Sequence, residues 1–481
     1  MFRIVNGDSL IELDKLEPSS IDSIVCDPPY EINFMNKGWD NSGIAYNVDL
    51  WKKCLNVLKS GSFMLVFGGS RTFHRVMCAI EDAGFYIKDT MMWFYGSGFP
   101  KGENIGLAID KRNGVESKVV ATMDAPSLKD TAEKQKELGN GSIMTFGQIS
   151  NAKRLQYEIK EAQNEWNGWN TALKPAFEVI IVAQKPIEEK TIVDNVLKWG
   201  VGAYNIDECR IPISSEDDYD VNNRPISKAK GSDGDGHFLD ELHDYDAKHG
   251  VTNKGRYPSN LILTYDDETF NDVCGGFPDT KSSPESPNAN HTFKGNKDAF
   301  EWGFKDRVVN ASYNDNGNAC RYFYSAKASK RDRDEGLDFL ENKEFILGSN
   351  GASLERIREK GYYGNGANGF SQIKMRKNNH PAVKPTNLLQ YLIKLVTPKG
   401  GIVLDPFMGS GSTGKAVAFE NNERNANYSF IGIELSKEYC EIANARISWA
   451  NNYQEIETNV EIEKNIKANK KTDIFDFLGK E

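Results

Sequence analysis

Asp27-Pro28-Pro29-Tyr30 stands directly after the apolar run Ser23-Ile24-Val25-Cys26, and its residue types suit one narrow chemistry. An amine attached to a nucleobase ring is a poor nucleophile because its lone pair is delocalised into the ring. Acceptors placed beside its hydrogens draw that pair back onto nitrogen. Asp27 offers a carboxylate. Pro28 has no N–H, so its backbone presents only a carbonyl, and Pro29 stiffens the turn that aims both groups. Tyr30 adds a flat face on which an unstacked base can lie. The same four residues also read as a proline-terminated strand with an exposed Asp and a packed Tyr.

A second stretch far down the chain weighs on that choice. Gly401-Ile402-Val403-Leu404 has the pattern of a buried strand, followed by Asp405-Pro406-Phe407-Met408-Gly409-Ser410-Gly411-Ser412-Thr413-Gly414 and the helix-like Lys415-Ala416-Val417-Ala418-Phe419. Strand, glycine turn and helix in that order make a nucleotide-type pocket, where Gly409 and Gly411 let backbone approach a ligand. Gly409, Gly411 and Gly414 also fit G-x-G-x-x-G, which alone would equally suggest a dinucleotide oxidoreductase. After a third strand-like run, Phe430 to Ile433, Glu434 is placed to take a ribose diol, with Asn421 to Ser429 read as a polar loop between.

The elements that must position these residues alternate. Phe2 to Val5 reads as a strand, Leu10 to Leu16 as a helix that Asp8 would cap, Trp51 to Leu58 as a helix, Ser62 to Phe67 as a strand, Arg71 to Ala83 as a helix and Phe85 to Phe94 as a strand. Such a train marks a mostly parallel sheet, whose carboxyl edge is where ligands bind. Gly96 to Lys101 is a loop off that edge, with Phe99 for stacking and Lys101 for a phosphate. Residues 111–165 are charged and helical in flavour without a motif. Val179 to Val182 is a buried strand, and Trp166 and Trp169 could stack on a base but are read first as core packing.

The 481 residues include 39% hydrophobic types, ample for a core, and carry a net charge of −10. Taken alone, that charge argues against nucleic acid, but charge is local and acidic inserts can mask basic faces. No apolar segment approaches the roughly 20 residues of a membrane span and no signal-peptide pattern opens the chain, so a soluble cytoplasmic protein is expected. Cys26, Cys54, Cys78, Cys209, Cys274, Cys320 and Cys440 form no C-x-x-C pair and share no ligand spacing with histidine. Metal and disulfides are therefore not expected, and Cys26 and Cys78 are read as small core residues.

Between about 213 and 379 the strand–helix rhythm breaks. Ser214 to Gly250 is acidic and rich in Gly and Ser; Arg256 to Tyr265 and Cys320 to Ser325 look like strands. Lys327, Lys330, Arg331 and Arg333 form one basic cluster, diluted by Asp332, Asp334 and Glu335. Arg356, Arg358, Lys360, Lys374, Arg376 and Lys377, with Tyr362, Tyr363 and Phe370 between them, form a second that better suits phosphate clamping and groove contact. Near the end, Ile474, Phe477 and Leu478 have a spacing similar to the peptide that binds sliding clamps, with Lys471 where that motif prefers Gln.

Asn6 to Tyr30, Asn379-His380-Pro381-Ala382-Val383-Lys384-Pro385 and Asp405 to Glu434 together resemble a site-specific DNA amino-methyltransferase of the β arrangement, in which the DPPY half precedes the half carrying DPFxGSG. Trp93 to Lys101 and Phe323 to Lys330 resemble the subset found in phage and prophage genomes. The resemblance implies a Rossmann-like α/β fold with a mostly parallel seven-stranded sheet, an antiparallel last strand near its edge and a large inserted recognition region. It implies residues 1–110 as the catalytic half, 111–165 as a helical insert, 166–212 as core strand and edge, 213–379 for target recognition, 380–450 for the cofactor, and 451–481 as a charged tail. It implies S-adenosyl-L-methionine as cofactor and duplex DNA as partner, in the setting of restriction–modification. Asp8 would contact the cofactor's adenine. Lys384, Thr386 and Asn387 would hold its methionine carboxylate at a helix N-terminus, Asp405 its amino group, with Phe407, Gly409, Gly411 and Glu434 completing the pocket. The DPPY form points to adenine, with the cytosine exocyclic amine as the alternative, and neither a Cys nucleophile nor a metal is required.

Overall fold

The fold is taken from a computed structural model, in which residues 1–32, 38–95, 102–124, 156–212, 255–264, 274, 277, 279–281, 316–326, 332–338, 340, 343–347 and 372–452 are described. The first half of the chain supplies strands β1 (Phe2–Asn6), β2 (Ile21–Cys26), β3 (Leu58–Gly68) and β4 (Tyr86–Tyr95), with helices α1 (Ser9–Glu12), α2 (Val48–Val57) and α3 (Phe73–Asp82) between them. Helix α4 (Ile105–Asn113) leads into an antiparallel pair, β5 (Lys118–Asp124) and β6 (Gln156–Glu161). Over 118–124 and 156–161 this pair corrects the expectation of a helical segment: the charges misled, whereas the two stretches form an antiparallel ladder with a shift of register at Val120. Then come β7 (Phe177–Gln184), helix α5 (Ile192–Trp199), β8 (Leu261–Thr264), β9 (Asp279–Lys281), β10 (Asn316–Asn318), β11 (Tyr324–Ser325), β12 (Lys343–Leu347) and β13 (Gln372–Arg376). The chain returns through α6 (Thr386–Val396), β14 (Ile402–Asp405), α7 (Ser412–Arg424), β15 (Ser429–Glu434) and α8 (Lys437–Asn451). Because α7 continues to Arg424, the polar loop expected from Asn421 shrinks to the turn before β15.

Among the described residues nine strands, rather than seven, join in the order β1-β15-β14-β2-β3-β7-β4-β8-β11. All neighbours are parallel except β7, which runs antiparallel to both β3 and β4. It is thus inside the sheet rather than near its edge, and β8 and β11 from the 213–379 block extend the sheet beyond β4.

Alternation along the central strands builds two cores. Val25, Leu65, Phe67, Ile180 and Val182 face one side, where Leu388, Leu392, Val417, Ala443 and Ile447 of α6, α7 and α8 cover them. Ile24, Cys26, Met64, Val66 and Ile181 face the other, covered by Leu50, Trp51, Cys54, Val76 and Ile80 of α2 and α3. The two buried polar residues of β2 are satisfied: Asp22 accepts from the Ile402 backbone at 2.8 Å and from Lys59 at 2.6 Å, and Ser23 bonds Thr397 at 2.7 Å.

Three smaller expectations are corrected. Cys78 is exposed on α3 rather than in the core. Cys274 and Cys320, 46 residues apart, form a disulfide with Cα atoms 5.8 Å apart. Trp166 and Trp169 are 41% and 59% exposed and pack edge to face on each other, 5.1 Å between ring centroids. No described helix is long and apolar enough to cross a membrane.

Candidate active site

Register places the acids at one edge. Leu404 of β14 pairs with Ile24 of β2, Gly432 of β15 with Asp405, and Asn6 of β1 with Glu434. Asp8, Glu434, Asp405 and Asp27 therefore leave four adjacent parallel strands at their shared carboxyl edge, and all four line one cavity of 670 Å³. That volume lies within the range of about 300–1,000 Å³ usual for small-molecule sites. Pro28, Pro29, Tyr30, Lys384, Phe407 and Gly409 also line it.

Around Asp27 the prolines end the ladder of β2 and turn the carboxylate inward. Its Oδ2 accepts from Lys384 Nζ at 2.6 Å, while Oδ1 is buried without a hydrogen-bond partner among the described residues. Burial raises its pKa against the lowering effect of Lys384, and the nearby Glu178 raises it further. Lys384 reaches Glu178 at 3.3 Å and stands 5.2 Å from the centre of the Tyr30 ring. Burial works against its charge, but Asp27 and Glu178 outweigh burial and hold the ammonium's pKa above the ordinary value. Tyr30 donates its hydroxyl to Glu178 at 2.7 Å. Glu178 went unnoticed in the sequence. As the second residue of the antiparallel β7, it opens a strand at the very edge where the parallel strands finish.

Asp405 accepts from the Phe407 N–H at 3.0 Å and the Thr413 hydroxyl at 2.6 Å. Burial pushes its pKa up to about 7, with Asp27 and Glu434 adding to the shift. Gly409 and Gly411 adopt φ of 54° and 78°, left-handed values that favour glycine. A Cβ on Gly409 would lie 3.0 Å from His380 Nε2, and one on Gly411 2.7 Å from Ala443 Cβ. Glu434 accepts the Gly409 N–H at 2.9 Å and the Ser436 N–H at 2.8 Å, so it braces the glycine turn as well as lining the cavity. Asp8 does cap α1, accepting the Leu10 N–H at 2.9 Å, and it lines the cavity too.

Two expected cofactor residues are displaced. Pro385 is the N-cap of α6, and Thr386 gives its N–H and hydroxyl to Asp332 at 2.7 and 2.5 Å, so a carboxylate of the chain already occupies that helix end. Asn387 is exposed, its carbonyl accepting from Tyr324, and neither residue lines the cavity. Lys384 serves Asp27 rather than the helix terminus. Of the basic residues expected at DNA, Lys377 pairs with Asp338 at 2.9 Å, and Lys374 and Arg376 belong to β13. Lys101, Lys327, Lys330, Arg331, Arg356 and Arg358, like Ile474, Phe477 and Leu478, lie outside the described residues. Among the described residues no cluster of three or more His, Cys, Asp or Glu could hold a metal.

Comparison with known proteins finds DNA methyltransferases. The type II methyltransferase M.HindIII of Haemophilus influenzae is 27% identical over 245 residues, 42% of this chain and 64% of that one. The DNA adenine methyltransferase YhdJ of Escherichia coli is 43% identical over 75 residues, 16% of this chain and 24% of that one. The chain thus spans less than two thirds of these relatives' lengths. Among solved structures, an M1.HpyAVI–SAM complex aligns with 93% of this chain and 100% of its own at 13% identity, with a TM-score of 0.33. The DNA methylase family model (N6_N4_Mtase) matches residues 21–445, from the strand before Asp27 to the helix after Glu434, and by that match the chain belongs to this family of DNA methylases.

Proposed function

We propose that the protein methylates the exocyclic amine of adenine at specific sites in duplex DNA, using S-adenosyl-L-methionine on a Rossmann-like methyltransferase fold. The observation that carries this reading is the Oδ1 atom of Asp27, buried in the cavity with no hydrogen-bond partner among the described residues, at the end of the strand next to the one that carries Asp405 and the glycine turn. A buried acceptor left open at that cost calls for a donor, and a base amine supplies one.

The residues present fit the cofactor. Gly409 and Gly411 keep the turn thin where a side chain would collide, Glu434 and Asp8 can accept from ribose or adenine, and Asp405 can accept from an ammonium group. S-Adenosylmethionine supplies the electrophilic methyl group. Tyr30, its hydroxyl tied to Glu178, offers its ring to an adenine rotated out of the duplex. Lys384 holds one oxygen of Asp27 and so directs the other at the amine. Asp27 Oδ1 and the Pro28 carbonyl then stabilise the positive charge that grows on nitrogen during in-line displacement. The N–C bond would form as the methyl–sulfur bond breaks, its electron pair staying on the sulfur of a departing thioether, and the amine would then shed one proton to the acceptor already bonded to it, a carboxylate whose basicity burial raises.

Adenine is preferred over cytosine N4 because the DPPY form of the family is mostly adenine-directed and because YhdJ, 43% identical over 75 residues, is named an adenine enzyme. Single-molecule sequencing of genomic DNA from a methylation-free host expressing this chain tests base and site together. Methylated adenine in one recurring sequence supports the reading; unmodified DNA defeats it, and methylated cytosine N4 moves it to the sister activity.

A further inference from the structure

Two basic side chains besides His380 are among the residues lining the cavity, Lys384 and Arg333. Lys384 is committed to Asp27 and Glu178. Arg333 comes from the long block between the two halves of the motif set, where its sequence neighbours suggested a DNA contact. The segment that carries it is fastened to the half of the fold that holds the glycine turn. Asp332 caps Thr386 and pairs with the buried Lys415 at 2.6 Å, Arg446 donates to the Asp332 carbonyl at 3.0 Å, and Asp334 accepts the Asn378 N–H at 3.1 Å. Leu337 is buried against Ile442 and Ala445 of α8. Between such anchors the backbone of Arg333 has little freedom, so its guanidinium is delivered to the cavity at a set place.

That place is beside the glycine turn. Arg333 donates to the His380 carbonyl at 2.5 Å, and His380 is the side chain that a Cβ on Gly409 would meet. His380 itself stays neutral: burial pulls its pKa down to about 3, and Arg333, Lys384 and Arg446 reinforce the shift, which marks this wall as electropositive. The opposite charge prevails at the strand ends, where Asp8, Asp27, Asp405 and Glu434 gather. An amino-acid moiety carries both an ammonium and a carboxylate. Asp405 suits the first. The second would be repelled by four acids unless a cation stood near, and the helix end expected to receive it is filled by Asp332.

Resting on the cofactor reading above, we propose that Arg333 binds the carboxylate of the methionine moiety of S-adenosylmethionine, so that the inserted block completes the cofactor site. Guanidinium is suited to the task because its planar fork matches a carboxylate and keeps its charge at every working pH.

The test is a cycle of residue against ligand. Calorimetric titration of the full-length protein and of Arg333→Gln is carried out with S-adenosylmethionine and with its decarboxylated analogue, which lacks only the carboxylate. The parent is expected to prefer the carboxylated ligand by about 10-fold or more, the size of one charged hydrogen bond. In Arg333→Gln the preference should collapse toward one, while affinity for the decarboxylated analogue stays near the parent's. Arg333→Lys should recover part of the preference. An undiminished preference in Arg333→Gln, or equal loss of both ligands, overturns the assignment. Failure of the parent to bind either ligand would defeat the cofactor reading itself.

Discussion

At the scale of single residues, the proposed function assigns chemistry to some groups of the site and aiming to others. Asp27 is expected to matter to rate: Asp27→Ala should lower methyl transfer by about 100-fold or more, the usual loss when a stabiliser of developing charge is removed, with cofactor affinity unchanged by titration. Glu178 acts through Tyr30 and Lys384. Glu178→Gln should lower kcat with little change in cofactor affinity, and a fall in both together would mean it does no more than hold the fold. Asp405 brings a pH dependence. Its carboxyl, pushed up to about 7, is neutral below that pH, yet it must be ionised to accept from an ammonium. Cofactor affinity should therefore fall as pH drops through about 7, by at most about tenfold per unit, and Asp405→Asn should flatten the profile. The stability effect has the opposite sense. A raised acid pKa means that the folded state holds this proton more tightly than the unfolded chain, a contribution present at low pH and lost as pH rises to about 7. Without cofactor, Asp405→Asn should thus melt higher than the parent at pH 8.

At the scale of elements, what could be read beforehand was what is local. A strand stopped by two prolines and a strand–glycine–helix turn each declare themselves within about fifteen residues, and β2, β14 and α7 appear where those patterns put them. Contacts between distant segments left no such trace. Glu178 looks like any acid at the mouth of an apolar strand until β7 is seen to run antiparallel inside the sheet. Asp332 looks like dilution of a basic cluster until it is found capping α6 and pairing with Lys415, and charge-rich composition hid the β5–β6 ladder. The cap is expected to be structurally costly to lose. Asp332→Ala strands a fully buried Lys415 with Glu335 as its remaining carboxylate and should destabilise the fold by about 3 kcal/mol in urea unfolding.

At the scale of the whole molecule, the proposed activity requires a chain of net charge −10 to bind a polyanion through a local surface. Affinity for duplex DNA should fall with salt, with a log–log slope of about −0.9 per phosphate contacted. Arg376→Ala in the antiparallel β12–β13 pair should reduce that slope by about one and weaken all sequences alike, as a backbone contact does. The molecule's central feature is the sheet edge where four parallel strands deliver Asp8, Glu434, Asp405 and Asp27 to one cavity, where the proposed function would bring a methyl donor and an amine together. The most direct measurement is methyl transfer from radiolabelled S-adenosylmethionine to unmethylated duplex DNA, with the product digested to nucleosides and separated. The parent should place label in N6-methyldeoxyadenosine, and Asp27→Ala, still binding the cofactor, should place almost none. Label transferred by Asp27→Ala at the parent's rate would contradict the account.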